Sequence, residues 1–390
     1  MMVKVEKENQ EYIKQKEVLY DALLEFIEDS NSDLEFSSEN DDENFDKLLQ
    51  TIEEQNIANI GQEFEHFLKL IVCIANHHKR HQNFFVKIEK ILLFFKEKIV
   101  NFMTNIQIYN IFEGNKILLL FLIKEKFVTI NEEVCNLMKN KKEKNGLNFS
   151  DFFIPEMPNF SPQSIDIAEY EEKRRIGEND SYICTLIRQD LIEEFVQYIN
   201  SALLPVSSSI KPSIFETNVF LIENNPTLIE YAAFFASVQI FKYLLLNNAE
   251  INQSIWIYAI HSNNSDFLVN HINYINIKQY EDDLKNCFSE SIKCHHNEFA
   301  KYFEEKLSGE RFVFNETVVK SILESHNYSY FLIDYSKDFA FYYLCCYNYQ
   351  KIVDFHMNYL KEIIGPIKIL TKIYCLIQFI TLFFNIILKK

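Results

Sequence analysis

The sequence predicts an all-α protein, a helical N-terminal domain followed by an α-solenoid of irregular helix pairs. Three observations lead there. Apolar residues recur at steps of three and four along most of the chain instead of alternating. Only six Gly and seven Pro occur in 390 residues, too few for a turn-rich β architecture. Past residue 226 one pattern returns several times: a short helix with small residues on one face, then a second helix carrying a pair of large apolar residues. Two short helices cannot bury their apolar faces alone, so each pair requires neighbours of its own kind.

The N-terminal domain is assigned to residues 1–138. Tyr12, Ile13, Val18, Leu19, Ala22, Leu23, Phe26 and Ile27 give residues 10–28 an amphipathic face. The acidic, polar run Glu28–Asn44 reads as a solvated connector, with a phosphorylated loop at Ser38 as the competing reading. Helices are then expected over Phe45–Gln55, Ile60–Asn76, Asn83–Phe102, Ile106–Glu113 and Asn115–Lys126. Cys73, His77 and His81 stand at i, i+4 and i+8. Such a stripe suits a metal only if a fourth ligand arrives from elsewhere. The preferred reading makes His77, His78, Lys79, Arg80 and His81 cations at a helix C-terminus, where the macrodipole favours positive charge.

Between residues 139 and 180 the periodicity fades. Lys139–Lys144 is a short basic run and Pro155, Pro158 and Pro162 follow, so this stretch is read as a linker with a connecting helix, Ile165–Ile176. The basic run is taken as a solvated loop in preference to a localisation signal.

Residues 181–362 form the repeat array. Tyr182–Arg188 and Leu191–Ile199 read as a degenerate first pair, Ser207–Asn225 as a loop, and residues 226–252, PTLIEYAAFFASVQIFKYLLLNNAEIN, as the best-formed unit. Ala232 and Ala233 are small where the first helix approaches the next pair; Ile240, Phe241, Leu244 and Leu245 form the apolar side of the second. Later units register on Phe267-Leu268, Phe299-Ala300, Ser329-Tyr330 and Ile352-Val353. Their first-helix pairs are Ala259-Ile260, Ser291-Ile292, Ser321-Ile322 and Leu344-Cys345, and His295-His296 sits at one of the turns between.

Thr227-Leu228-Ile229-Glu230-Tyr231-Ala232-Ala233 resembles the TPLHxAA opening of an ankyrin repeat, and Ile240-Phe241 with Leu244-Leu245 resembles the I-V-x-x-L-L of its second helix. Glu230 replaces the His that joins successive repeats, and Ala236 and Asn248 replace Gly, which implies less regular turns. Steps of about 23 to 32 residues, against the 33 of a full unit, imply lost β-hairpin fingers and a contact surface on the helices. The wording of YEEKRRIGENDSYICTLIRQDLIEEFVQYIN, SIWIYAIHSNNSDFL and HFLKLIVCIANHHKRHQNFFVKIEKILLFF is similar to a large ankyrin-like family of trichomonad protists that contains a domain of unknown function. Over residues 10–360 the resemblance implies a scaffold that binds other proteins, and it brings no catalytic residues.

Ile373–Leu388 is a nearly uncharged run within the C-terminal segment 363–390. As a helix it would span about 24 Å, shorter than the about 30 Å covered by the about 20 residues a crossing usually takes. Thr371, Tyr374, Gln378, Thr381 and Asn385 line one polar stripe along it. A tail anchor, a cover for the last repeat and an abnormal ending of the array all remain as readings.

A net charge of −17 leaves nucleic acid without electrostatic support as a partner. Eight Cys without pairing spacing, and an opening MMVKVEKENQEYIKQK without a secretory signal, point to reduced thiols in the cytoplasm. No phosphate loop, dinucleotide fingerprint, HExxH or GxSxG occurs. The expected function is therefore a non-enzymatic protein-interaction scaffold with an unidentified protein partner, no cofactor and no metal, and a tail-anchored membrane adaptor is the alternative. Tyr258, His261 and Ser262, on the first helix of the second full unit, are the candidate partner surface.

Overall fold

The computed structural model describes residues 2–28, 38–59, 61–78, 80–81, 83–158, 166–272, 281–307, 316–331, 338–347, 349–355 and 357. The run 363–390, with every reading of that tail, lies outside the described residues. Among those described the chain is helical, without a strand; Ser209–Thr227 and Lys142–Asn148 are isolated bridges.

Two buried clusters organise it. The first is built by α1 (Met2–Glu28), α2 (Ser38–Glu54), α3 (Gly61–His77), α4 (Phe84–Phe94), α5 (Lys96–Phe102), α6 (Asn105–Phe112), α7 (Lys116–Lys124) and α8 (Glu132–Asn140). Local chemistry starts several of them: Thr104 and Gln107 form a capping box on α6, and the Asn115 and Asn131 side chains cap α7 and α8. Helix α2 begins at Ser38 and not at Phe45, so the acidic connector is shorter than expected. The single helix expected over 83–102 breaks at Phe95 (φ −93°, ψ 9°). That break lets the Phe95 ring meet Phe64 at 5.5 Å and Phe67 at 6.0 Å.

The first core also runs past residue 138. Phe149, Phe152 and Phe153, on a 3-10 stretch over Phe149–Glu156, belong to it, so part of the expected linker is core. Arg174 on α9 (Ile167–Ile176) is buried and donates to both carboxylate oxygens of Glu156 at 2.6 and 2.9 Å, which locks α9 onto that stretch.

The second core holds a series of helix pairs. They are α10 (Tyr182–Arg188) with α11 (Ile192–Ser201), then α13 (Leu228–Phe234) with α14 (Val238–Leu246). Next come α15 (Ile255–His261) with α16 (Ser265–Phe267), which runs on as a π turn to Ile272, and α17 (Glu281–Lys293) with α18 (Asn297–Leu307). Helix α19 (Glu316–Glu324) is followed by one 3-10 turn, and α20 (Asp338–Cys346) by helical residues 350–355. The first helices pack in chain order, α10 on α13, then α15, α17, α19 and α20. Ala232 and Ala233 are fully buried at one of these contacts. Where a loop was expected before residue 226, α12 (Val219–Asn224) forms, capped by Asn218, and lays Phe220 over α13 and α15.

Four of the turns share one form without Gly. Asp190, Ala236, His295 and His326 have φ of 52°, 52°, 57° and 55°. The next N–H in each case donates to the carbonyl five residues back: Leu191 to Leu186, Ser237 to Ala232, His296 to Ser291 and Asn327 to Ile322, at 2.9–3.1 Å. Asn248 (φ 58°) closes α14 the same way, through Ala249 and Leu244 at 2.9 Å. At these turns the bond and the packing around it offset the about 1–2 kcal/mol that a left-handed non-Gly residue costs, whereas the turn between α15 and α16, at Asn263 (φ 47°), closes only through the Asn263 N–H to the Ile260 carbonyl at 3.2 Å, an irregularity of the kind expected. Glu230 caps α13 in a box with Thr227 and accepts from the Ser254 hydroxyl of the next pair, so a carboxylate makes the link between successive pairs.

Gly177 ends α9 at φ 66°, and a Cβ there would lie 2.6 Å from Ile117 Cδ1. Gly177→Ala is expected to lower unfolding free energy by about 2 kcal/mol, from left-handed strain and the clash with Ile117. Leu244→Ala should lose about 2–5 kcal/mol by opening a cavity in the second core. Denaturant midpoints measure both, and an unchanged midpoint in either variant refutes the packing described for it.

Candidate functional site at the cleft between the two cores

Helix α3 is apolar on more than one side, and its second side meets the array. From its start to its end it runs back along the edge where first helices turn into second ones. Glu63 pairs with Lys351 at 3.2 Å and, in a buried contact, with Lys16. His66 Nε2 lies 3.1 Å from the Tyr347 carbonyl, and the Cys73 thiol donates to the Ser325 carbonyl at 3.2 Å. The His77 ring stands 6.5 Å from that of His261, and Arg80 Nη1 donates to Thr217 Oγ1 at 2.7 Å. Tyr20 of α1 stacks on His295 at 4.5 Å. Seven of the ten His residues collect along this contact, against α3 and the turns it covers.

At the last part of that contact a cleft of about 470 Å³ opens between the cores, lined among others by His77, Arg80, Arg188, Glu216, His261 and Ser262. Arg188 is engaged: it pairs with Glu178 at 2.5 Å and donates to the Tyr231 hydroxyl at 2.9 Å. Glu216 accepts the backbone N–H groups of Thr217 (2.9 Å), Asn218 (2.8 Å) and Asn179 (3.2 Å). Burial pushes the Glu216 carboxyl up, and these donors pull it back only in part. Arg80 keeps Nε and Nη2 buried without an acceptor, and His77 keeps Nδ1 so. Burial holds the His77 imidazole down to about 3, so it is neutral at physiological pH.

Beside the cleft lies a tighter group. His261 Nε2 is 2.9 Å from Glu290 Oε1, and Cys294 Sγ is 3.6 Å from His261 Nδ1 and 3.8 Å from Nε2. Glu290 and Cys294 stand at i and i+4 on and just past α17, which turns both towards α15. Burial alone would raise the Glu290 carboxyl, but the bond from His261 and the charges of His261 and Lys293 hold it at about 2. The Cys294 thiol is fully buried, and burial drives it well above the ordinary thiol range.

The sequence-derived candidates fare unevenly. Tyr258, His261 and Ser262 do not form a solvent-facing partner surface: they are 3%, 5% and 2% exposed. Phe220 of α12 covers two of them, meeting Tyr258 at 4.9 Å and His261 at 4.0 Å between ring centroids. His261 and Ser262 line the cleft instead. Cys73, His77 and His81 are not brought together, because α3 ends at His77 and His81 turns away to the Ile27 carbonyl at 2.9 Å. The reading of His77 as a helix-end cation fails for the reason already given, desolvation. Arg80 was read only as one of the helix-end cations, and Glu216, Glu290 and Cys294 were not singled out, although the Glu290–Cys294 spacing was visible. The meeting of Glu290 and Cys294 with His261 needed the register between helices. No family model, curated protein or solved structure matches the chain.

His66 and His326 show what the buried contact implies for pH. Burial lowers both imidazoles below their ordinary value, His326 strongly, with Lys16 and Lys69 adding to the effect and Glu63 opposing it at His66. The unfolded chain therefore takes up protons near pH 6.5 that the folded chain refuses. Stability is full above that pH and falls as the solution is acidified, by up to about 1.4 kcal/mol per pH unit for each group. Denaturant unfolding at pH 7.5 and pH 5.5 should show this loss. His326→Gln should shrink the difference between the two pH values, and a difference left intact would remove His326 as its source.

Proposed function

We propose that the chain is a non-enzymatic protein-interaction scaffold built on ankyrin-like repeats, which takes an unidentified protein as partner and works in the cytoplasm. The observation that carries this reading is the series of stacked pairs, four of them closed by one recurring turn, an arrangement that repeats similar surface positions along its length. The seven described cysteines are free, in keeping with a reducing compartment. The order Cys294, His261, Glu290 has the form of a nucleophile, base and orienting carboxylate. A thiol that is fully buried and held protonated argues against that use.

Since Tyr258, His261 and Ser262 are covered, the contact surface moves to the outer side of the second helices, where Leu245, Leu246 and Val269 are 36%, 81% and 48% exposed. Proximity labelling around the full-length chain should enrich a small, reproducible set of proteins. Leu246→Glu should remove that set while leaving the unfolding midpoint within about 0.5 kcal/mol of the parent. A set that persists in the variant would exclude this surface, and no enrichment over an inert bait would exclude the scaffold.

The second reading is a tail-anchored adaptor, favoured by the uncharged run Ile373–Leu388 between Lys372 and Lys389-Lys390. Among the described residues no helix is long and apolar enough to cross a membrane. Residues 363–390 fused to a soluble reporter should carry it into the membrane fraction on this reading; a reporter left in the supernatant rejects it.

A further inference from the structure

We propose that His261, Glu290 and Cys294, joined by His77 from the N-terminal domain, form a site for a divalent transition-metal ion of the zinc type that fastens the two domains together. One ligand atom from each of the first three residues already lies within 4.8 Å of the others, in a group that is almost wholly buried. Zinc takes sulfur at about 2.3 Å and imidazole nitrogen at about 2.0–2.1 Å, so two such ligands at a tetrahedral angle stand about 3.6 Å apart. The Cys294 Sγ to His261 Nε2 distance of 3.8 Å is close to that, before any ion draws the groups in. Glu290 Oε1 is nearer to Nε2, at 2.9 Å, because a hydrogen bond now joins them. An ion would displace that shared proton, and the Cys294 proton would leave for solvent as the thiolate binds.

The fourth ligand is suggested by a separate observation. His77 comes from α3, its Nδ1 is buried without an acceptor, and its ring faces that of His261 at 6.5 Å. Supporting groups are also in place. Lys293 Nζ holds the second Glu290 oxygen at 3.1 Å, and the Phe220 ring stacks on His261 at 4.0 Å, so both ligands have fixed orientation. His77 and His261 line the 470 Å³ cleft, which gives an ion a way in. One thiolate, imidazole nitrogens and a carboxylate select zinc or its neighbours over magnesium and calcium, which require oxygen.

The test titrates the full-length protein, stripped of metal by a chelator, with Co²⁺ as a spectroscopic probe. Binding of one equivalent should bring the intense visible bands of four-coordinate cobalt and a near-ultraviolet thiolate-to-cobalt band. Cys294→Ser should abolish the thiolate band. His261→Gln or Glu290→Gln should weaken binding more than about 100-fold, beyond the about 10–100-fold typical of an outer partner. His77→Gln should keep the thiolate band with about 10–100-fold weaker binding, while Cys346→Ser, at an exposed thiol, should change nothing. As a readout independent of the variants' folding, Zn²⁺ should raise the melting temperature of the parent protein. Absence of the four-coordinate bands at one equivalent, a thiolate band that survives Cys294→Ser, or a melting temperature indifferent to Zn²⁺ would overturn the site. Unchanged affinity in His77→Gln would overturn its role between domains.

Discussion

Burial of α3 on two sides is the constraint on which the rest depends. One side completes the first core through Phe64, Phe67, Leu68 and Ile71; another lies along the turns of the repeat stack through His66, Cys73 and His77. A helix so placed has little contact with water, so its polar side chains must find partners in protein or stay neutral. The contact meets this in two ways: ion pairs at its start, Glu63 with Lys16 and Lys351, and imidazoles held uncharged further along.

The same constraint explains where the unusual chemistry sits. The N-terminal domain covers the edge of the stack where each first helix ends, and those ends carry Ser262, His295, His296, Ser325 and His326. Small or imidazole side chains there admit α3 closely and still offer hydrogen bonds, as His295 Nε2 does to the Ser325 carbonyl at 2.6 Å. The cleft opens where the contact passes from α3 to the Gly177 junction, and there Arg80 and His77 are left with polar atoms unpartnered. Buried orphan donors are costly in a finished interior, which makes this region the natural place to look for a ligand.

Much of the array was legible because its signals are local. The pairs Ile240-Phe241, Phe267-Leu268, Phe299-Ala300 and Ile352-Val353 marked the second segments, and the structure puts the helix pairs in that register. Helix α12 and the core residues Phe149, Phe152 and Phe153 were not legible, since short apolar clusters among Pro, Ser and Asn do not reveal which surface they will cover. Ala236 and Asn248 misled for a related reason: the preference for Gly at a left-handed position is a backbone energy of about 1–2 kcal/mol, and tertiary packing outweighs it.

By itself the sequence determined the helical class and the pairing of short helices, because a 3.6-residue period and a recurrent small-then-large pattern are written in neighbouring residues. Only the tertiary structure decided that α3 occupies the turn edge, that Tyr258, His261 and Ser262 face inward, and that His261 meets Glu290 and Cys294. Those outcomes depend on the register between helices 29 and 33 residues apart and on the docking of one domain against the other. Such contacts are set by which buried surfaces fit, and no local period encodes that fit.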